Sequence, residues 1–183
     1  PDAAAWQEVL EEYQSGLDLE KPDAQLRILN MRLELFRQTE APREAIDDLL
    51  QGATSAITSG KLPLKNQVLF ASSAARVAWA ARVNPIPCLE FLKKNMSEIE
   101  RLPAKQRYFV YAELDILFRD FHGPSSDSFA SLKDRASDYL QKDAEKDLKK
   151  WQSELPGEAI YDRCDCLRKM AVLRRNRTPY DHE

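Results

Sequence analysis

The chain has 183 residues, 43% of them hydrophobic and 31% charged, with 27 basic against 30 acidic side chains and a formal net charge of −3. That mix is too apolar for intrinsic disorder, too evenly charged for a membrane protein, and too acidic for a broad electrostatic nucleic-acid footprint. Three cysteines, an odd number in a chain long enough to fold without staples, suit a reducing compartment, and the predicted location is the cytoplasm or nucleus.

Apolar residues recur at three- and four-residue intervals rather than alternately, which predicts helix throughout. Proline is favoured in the first turn of a helix and excluded from its interior, so the prolines mark helix starts. Pro22, Pro42, Pro63, Pro85, Pro103 and Pro124 follow one another at 20, 21, 22, 18 and 21 residues. One interval holds a helix and a short connection. Two make a hairpin of about 40 residues, the period of HEAT and armadillo repeats, with tetratricopeptide repeats somewhat shorter. The predicted fold class is all-α: stacked antiparallel helical hairpins resembling an α-solenoid. A compact multi-helix bundle is the alternative, because average helices and loops give similar spacing. No side-chain signature of a named repeat is present. The expected organisation is one helical domain over 1–175 and a polar tail over 176–183.

The first three helices are predicted over 3–15, 22–38 and 42–59. Pro1 to Trp6 carry no basic n-region or apolar h-region, so no retained signal peptide is expected. Within the third helix, Asp47-Asp48-Leu49-Leu50-Gln51 resembles half of the Asp-Asp-x-x-Asp magnesium motif of helical prenyltransferases. Gln51 stands where the third carboxylate would be, and no second acidic motif follows. Glu44, Asp47 and Asp48 read instead as solvent-facing acids near a helix start, where the dipole favours them.

The next helix, 63–83, is small or apolar nearly all round from Val68 to Val83, which predicts a central element surrounded by others, with Phe70 and Trp79 supplying its bulk. Ser72, Ser73, Arg76 and Arg82 interrupt the segment, so no membrane-spanning helix is expected. A helix over 86–100 follows. The helix over 103–121 buries a stripe of Val110, Leu114, Leu117 and Phe121, with Tyr111 and Phe118 beside it. One flank of it mixes aromatic and charged groups: Asp115 stands one turn from Tyr111 and Arg119, and two turns from Tyr108 and His122. Aromatic and Arg side chains are the usual anchors of interfaces, which makes Tyr108, Tyr111, Asp115 and Arg119 candidate partner contacts. The plainer reading is an Asp115–Arg119 intrahelical pair at the edge of the core. His122, before Gly123, reads as a helix C-terminal ending rather than a catalytic base.

Helices over 125–141 and 143–154 come next. The run Lys142 to Trp151 is polar nearly all round, relieved by Leu148 and Trp151, and reads as a surface helix with a Glu145–Lys149 pair. In the last helix, 157–175, Cys164 and Cys166 point about 200° apart, so they cannot chelate one metal on an intact helix, and they are expected to be buried, inert thiols. The segment ends in a basic cluster, and Arg174, Arg175 and Arg177 complete the candidate partner contacts. Five scattered glycines form no phosphate loop or dinucleotide fingerprint.

These readings predict no catalytic residues, no metal and no cofactor. The expected function is a non-catalytic scaffold or adaptor that binds another protein or peptide, an acidic one being favoured by the arginines, through a helical surface and not at a membrane. The alternatives are a nucleic-acid-binding domain that uses the C-terminal basic helix, and a helical enzyme of unfamiliar type.

Overall fold

The computed structural model describes residues 62–122, 124–157 and 159–177, together with scattered positions between 8 and 57. The helices expected over 3–15, 22–38 and 42–59, and the tail over 176–183, lie largely outside the described residues. The described chain forms eight helices and no strand: α1 (Leu64–Ala80), α2 (Ile86–Lys94), α3 (Met96–Arg101), α4 (Ala104–Asp120), α5 (Pro124–Asp127), α6 (Ala130–Lys142), α7 (Ala144–Glu154) and α8 (Ile160–Arg177). No described helix is long and apolar enough to cross a membrane.

Proline sets the boundaries. Pro63 and Pro103 occupy the positions just before α1 and α4, and neither helix has a side-chain cap, since proline arrives with a suitable φ and no N–H to satisfy. Leu102 and Leu155, each preceding a proline, are extended at ψ 149° and 138°, which ends α3 and α7. The end of α1 is different. Val83 N–H bonds the Ala78 carbonyl at 2.8 Å and Arg82 N–H the Trp79 carbonyl at 3.0 Å, the paired bonds of a Schellman ending. Its left-handed position, ordinarily glycine, is held by Arg82 at φ 60°.

Two expected helices are broken. The 86–100 helix divides at Asn95, whose side chain donates back to the Phe91 carbonyl at 2.8 Å and whose backbone leaves the helical region at φ −112°. The 125–141 helix divides at Ser128-Phe129, where the buried Phe129 turns into the core and α6 restarts.

The helices pair as hairpins: α1 with α2 and α3, α4 with α6, and α7 with α8. Along the chain, α1 packs on α4 and α4 on α7, while α2 packs on α6 and α6 on α8. As expected, α1 is enclosed, with Val68, Phe70, Ala71, Ala74 and Ala75 at zero exposure. Trp79 departs from the expectation. It is only partly buried, its ring edge-on to Phe121 at 5.0 Å, because it lines the open cleft at the C-terminal end of α1. The expected surface helix is also corrected: α7 packs on α4, α6 and α8 and buries Ala144, Asp147, Leu148 and Trp151.

Candidate interaction surface

The flank of α4 does not form one surface. Tyr111 is fully buried, donating its hydroxyl to Glu100 Oε1 at 2.5 Å and setting its ring 4.5 Å from that of Tyr139. Tyr108 is 8% exposed, and burial pushes its phenol up. Asp115 and Arg119 form the intrahelical pair at 2.5 Å, at the open end of the same face. Neighbouring helices still bury Leu114, Leu117 and Phe118 in the last turns of α4, but on this flank their cover stops short of Arg119. The two tyrosines are therefore parts of the core, and only Asp115 and Arg119 reach its edge.

What the tyrosines build is a crossed pair of polar clusters. Asp147 on α7 accepts two bonds from Arg107 of α4, at 2.6 and 2.7 Å, and one from the Tyr139 hydroxyl of α6 at 2.7 Å. Glu100 of α3 accepts from Arg135 of α6 at 2.6 Å and from Tyr111 of α4. Each carboxylate thus takes an Arg from one of the two helices and a Tyr from the other. Arg107 also donates to the Glu100 carbonyl at 2.6 Å, which joins the clusters. Burial by itself would raise the Asp147 carboxyl, but the Arg107 and Tyr139 bonds outweigh it and hold the group below its ordinary range. The bond from Arg135 does the same for Glu100. Burial and the hydrogen bond to Asp147 push Tyr139 strongly up.

Sequence reasoning missed these clusters, although a signal was there. Arg-x-x-x-Tyr occurs twice, at Arg107–Tyr111 and Arg135–Tyr139, and Asp147 lies on the same stripe as Ala144, Leu148 and Trp151.

The surface that stands open is on α8. Its inner side carries Cys166, Met170 and Leu173, at 0%, 6% and 8% exposure. Its outer side carries Ile160 at 69%, Tyr161 at 85%, Leu167 at 54% and Val172 at 43%. Cys164 is exposed as well, which corrects the expectation of two buried thiols: a 200° separation that buries Cys166 must turn Cys164 outward. Cys88 is buried, and burial pushes its thiol up to about 11. Of the predicted arginines, Arg174 reaches back to Glu145 of α7 at 2.6 Å, and Arg175 is exposed. The Arg177 side chain lies outside the described residues. With Lys149 also 3.1 Å away, Glu145 is held down at about 2, chiefly by Arg174. Arg168, 75% exposed, pairs with Asp165 at 2.9 Å.

An open cleft of about 820 Å³ lies between the C-terminal ends of α1 and α4. Trp79, Val83, Ile86, Ile116 and Phe121 line it, with Arg76, Arg82 and Asp120 at its polar points. Arg76 is engaged by Glu113 at 2.6 Å. No group of three or more His, Cys, Asp or Glu side chains suited to a metal ion occurs among the described residues. Compared with protein-family models, curated proteins and solved structures, the chain matches none.

Proposed function

We propose that this chain is a non-catalytic protein-interaction module, a stack of helical hairpins that binds a partner protein through the outward side of α8. The observation that carries this reading is the exposure of Ile160, Tyr161, Leu167 and Val172 on a helix whose opposite side is anchored in the core. Large apolar side chains gathered on one rigid element mark an interaction site, because each leaves its transfer free energy unrealised until something covers it. The stacking is supported by the succession of α1, α4 and α7 along one layer and of α2, α6 and α8 along the other. Contacts confined to neighbours in such a series are what a solenoid-like array requires. The roughly 40-residue interval between Pro63 and Pro103 fits one hairpin of it.

The test is a side-by-side affinity purification of the tagged chain and its Ile160→Asp/Leu167→Asp variant, with the captured proteins identified by mass spectrometry. The variant should lose the captured proteins at unchanged melting temperature. Equal capture by both chains would overturn the reading. A second reading, phosphate contact with nucleic acid, is favoured by one feature of the same helix, its six basic against two acidic residues. Nuclease-sensitive capture that falls steeply with salt, and fails when Arg174, Arg175 and Arg177 are replaced by Gln, would favour that alternative.

A further inference from the structure

We infer that the outward face of α8 seats one amphipathic helix of the partner, with acidic residues along both edges of the partner's apolar stripe. This rests on the reading of α8 as the binding face. At 100° per residue, Ile160, Cys164, Leu167 and Ala171 fall within about 60° of one another, and all four are exposed. The stripe spans twelve residues, about 16 Å, or three helical turns. A helix lying nearly parallel to α8 covers it in full.

The stripe alternates large and small. Ile160 and Leu167 project, while Cys164 and Ala171, seven residues and about 10.5 Å apart, leave two depressions beside them. Large apolar side chains seven residues apart on a facing helix match those depressions, the fit of knobs into holes.

Charge then selects among occupants. Arg168 and Arg175 lie along one edge of the stripe and Arg174 along the other. Arg168 and Arg174 already hold Asp165 and Glu145, yet a guanidinium carries five N–H donors, more than one carboxylate takes. A second copy of α8 would set arginines against arginines at the edges. A nucleic acid would meet the arginines but leave Ile160 and Leu167 against phosphate or water. An acidic amphipathic helix satisfies both the stripe and its edges.

The experiment is selection of a displayed library of helical 16-residue peptides on the full chain, with counter-selection on Leu167→Asp. The enriched peptides should carry large apolar residues at i and i+7 and an excess of Glu and Asp beside them. A synthetic copy of one should bind Leu167→Asp at least tenfold more weakly than the wild type. It should also slow maleimide labelling of Cys164, the exposed thiol of the three, at least tenfold. Enriched peptides that are neutral or basic, but still lost with Leu167→Asp, would overturn the acidic partner and leave α8 as the binding face. Peptides indifferent to Leu167→Asp, or no enrichment at all, would overturn the inference and remove support from the face itself. A dimer in sedimentation equilibrium that Leu167→Asp dissolves would replace the partner helix with a second copy. Tight oligonucleotide binding that survives Ile160→Asp/Leu167→Asp would replace it with nucleic acid.

Discussion

Replacing Asp147 by Ala tests the crossed clusters directly. The side chain is 6% exposed and receives three hydrogen bonds, two of them from one guanidinium. Its loss leaves the Tyr139 hydroxyl, on a residue 1% exposed, without an acceptor, at a cost of about 1–3 kcal/mol. It also strands Arg107, and breaking a buried ion pair on one side costs about 3–5 kcal/mol. That second figure must be discounted, since the Arg107 side chain is 24% exposed and keeps its bond to the Glu100 carbonyl. The net expectation is about 3 kcal/mol, a fall in melting temperature of about 6–12 °C for a chain of this size. Thermal and urea unfolding followed by circular dichroism measure it, with Lys149→Ala, at a 60% exposed side chain, as a control within about 0.5 kcal/mol. Adding Arg107→Ala to Asp147→Ala should cost less than the sum of the single changes, because each removes the same bonds. A melting-temperature loss under about 2 °C for Asp147→Ala would refute the reasoning.

Both clusters should also govern acid unfolding. Asp147 and Glu100 are held below their ordinary range, so the stability they contribute is complete above about pH 5 and is lost progressively as pH falls through their ordinary values and then their folded-state ones. The urea midpoint of the wild type should drop more steeply between about pH 4 and 2 than that of Asp147→Asn; parallel curves would exclude Asp147 as a source. In α1, Phe70→Ala should cost about 3–5 kcal/mol, and Trp79→Ala, at a partly buried rim position, about half as much. The reverse order in denaturant unfolding would mean the cleft end is the better-packed one. Arg82→Gly should stabilise the chain by about 1 kcal/mol, since only the arginine bears the left-handed penalty at φ 60°. A lower melting temperature would show that the Arg82 side chain offsets its own strain.

The helix pattern was legible because proline acts through the backbone alone. Pro63, Pro85 and Pro103 start helices whatever packs around them, so those three helix starts could be read from spacing. The breaks at Asn95 and Phe129 were not legible, since one depends on a side chain bonding back to its own helix and the other on a ring finding the core. Periodicity reports which face of a helix is inward but not which turns are covered. Hence Tyr108 and Tyr111 looked like neighbours of Asp115 and Arg119 on an open flank, while the structure buries the first two. The charge run of α7 misled for a related reason. Composition counted Asp147 with the solvated acids, although its spacing from Ala144, Leu148 and Trp151 put it on the buried stripe. The α8 arginines were visible as composition, but the apolar stripe between them was not, because α8 is apolar on two sides and its periodicity cancels.

The exchange of partners between α4 and α6 bears on alignment as well as strength. Rows of Leu and Ala on facing helices present nearly the same relief after a slide of one turn, so apolar packing alone tolerates alternative alignments. After a slide of 5.4 Å each carboxylate can follow only one of the two helices, so Asp147 loses either Arg107 or Tyr139, and Glu100 either Arg135 or Tyr111. The two clusters thereby act as a vernier, making one setting of α4 against α6 distinct from its near-equivalents, and that setting in turn fixes the height at which α7 and α8 are carried.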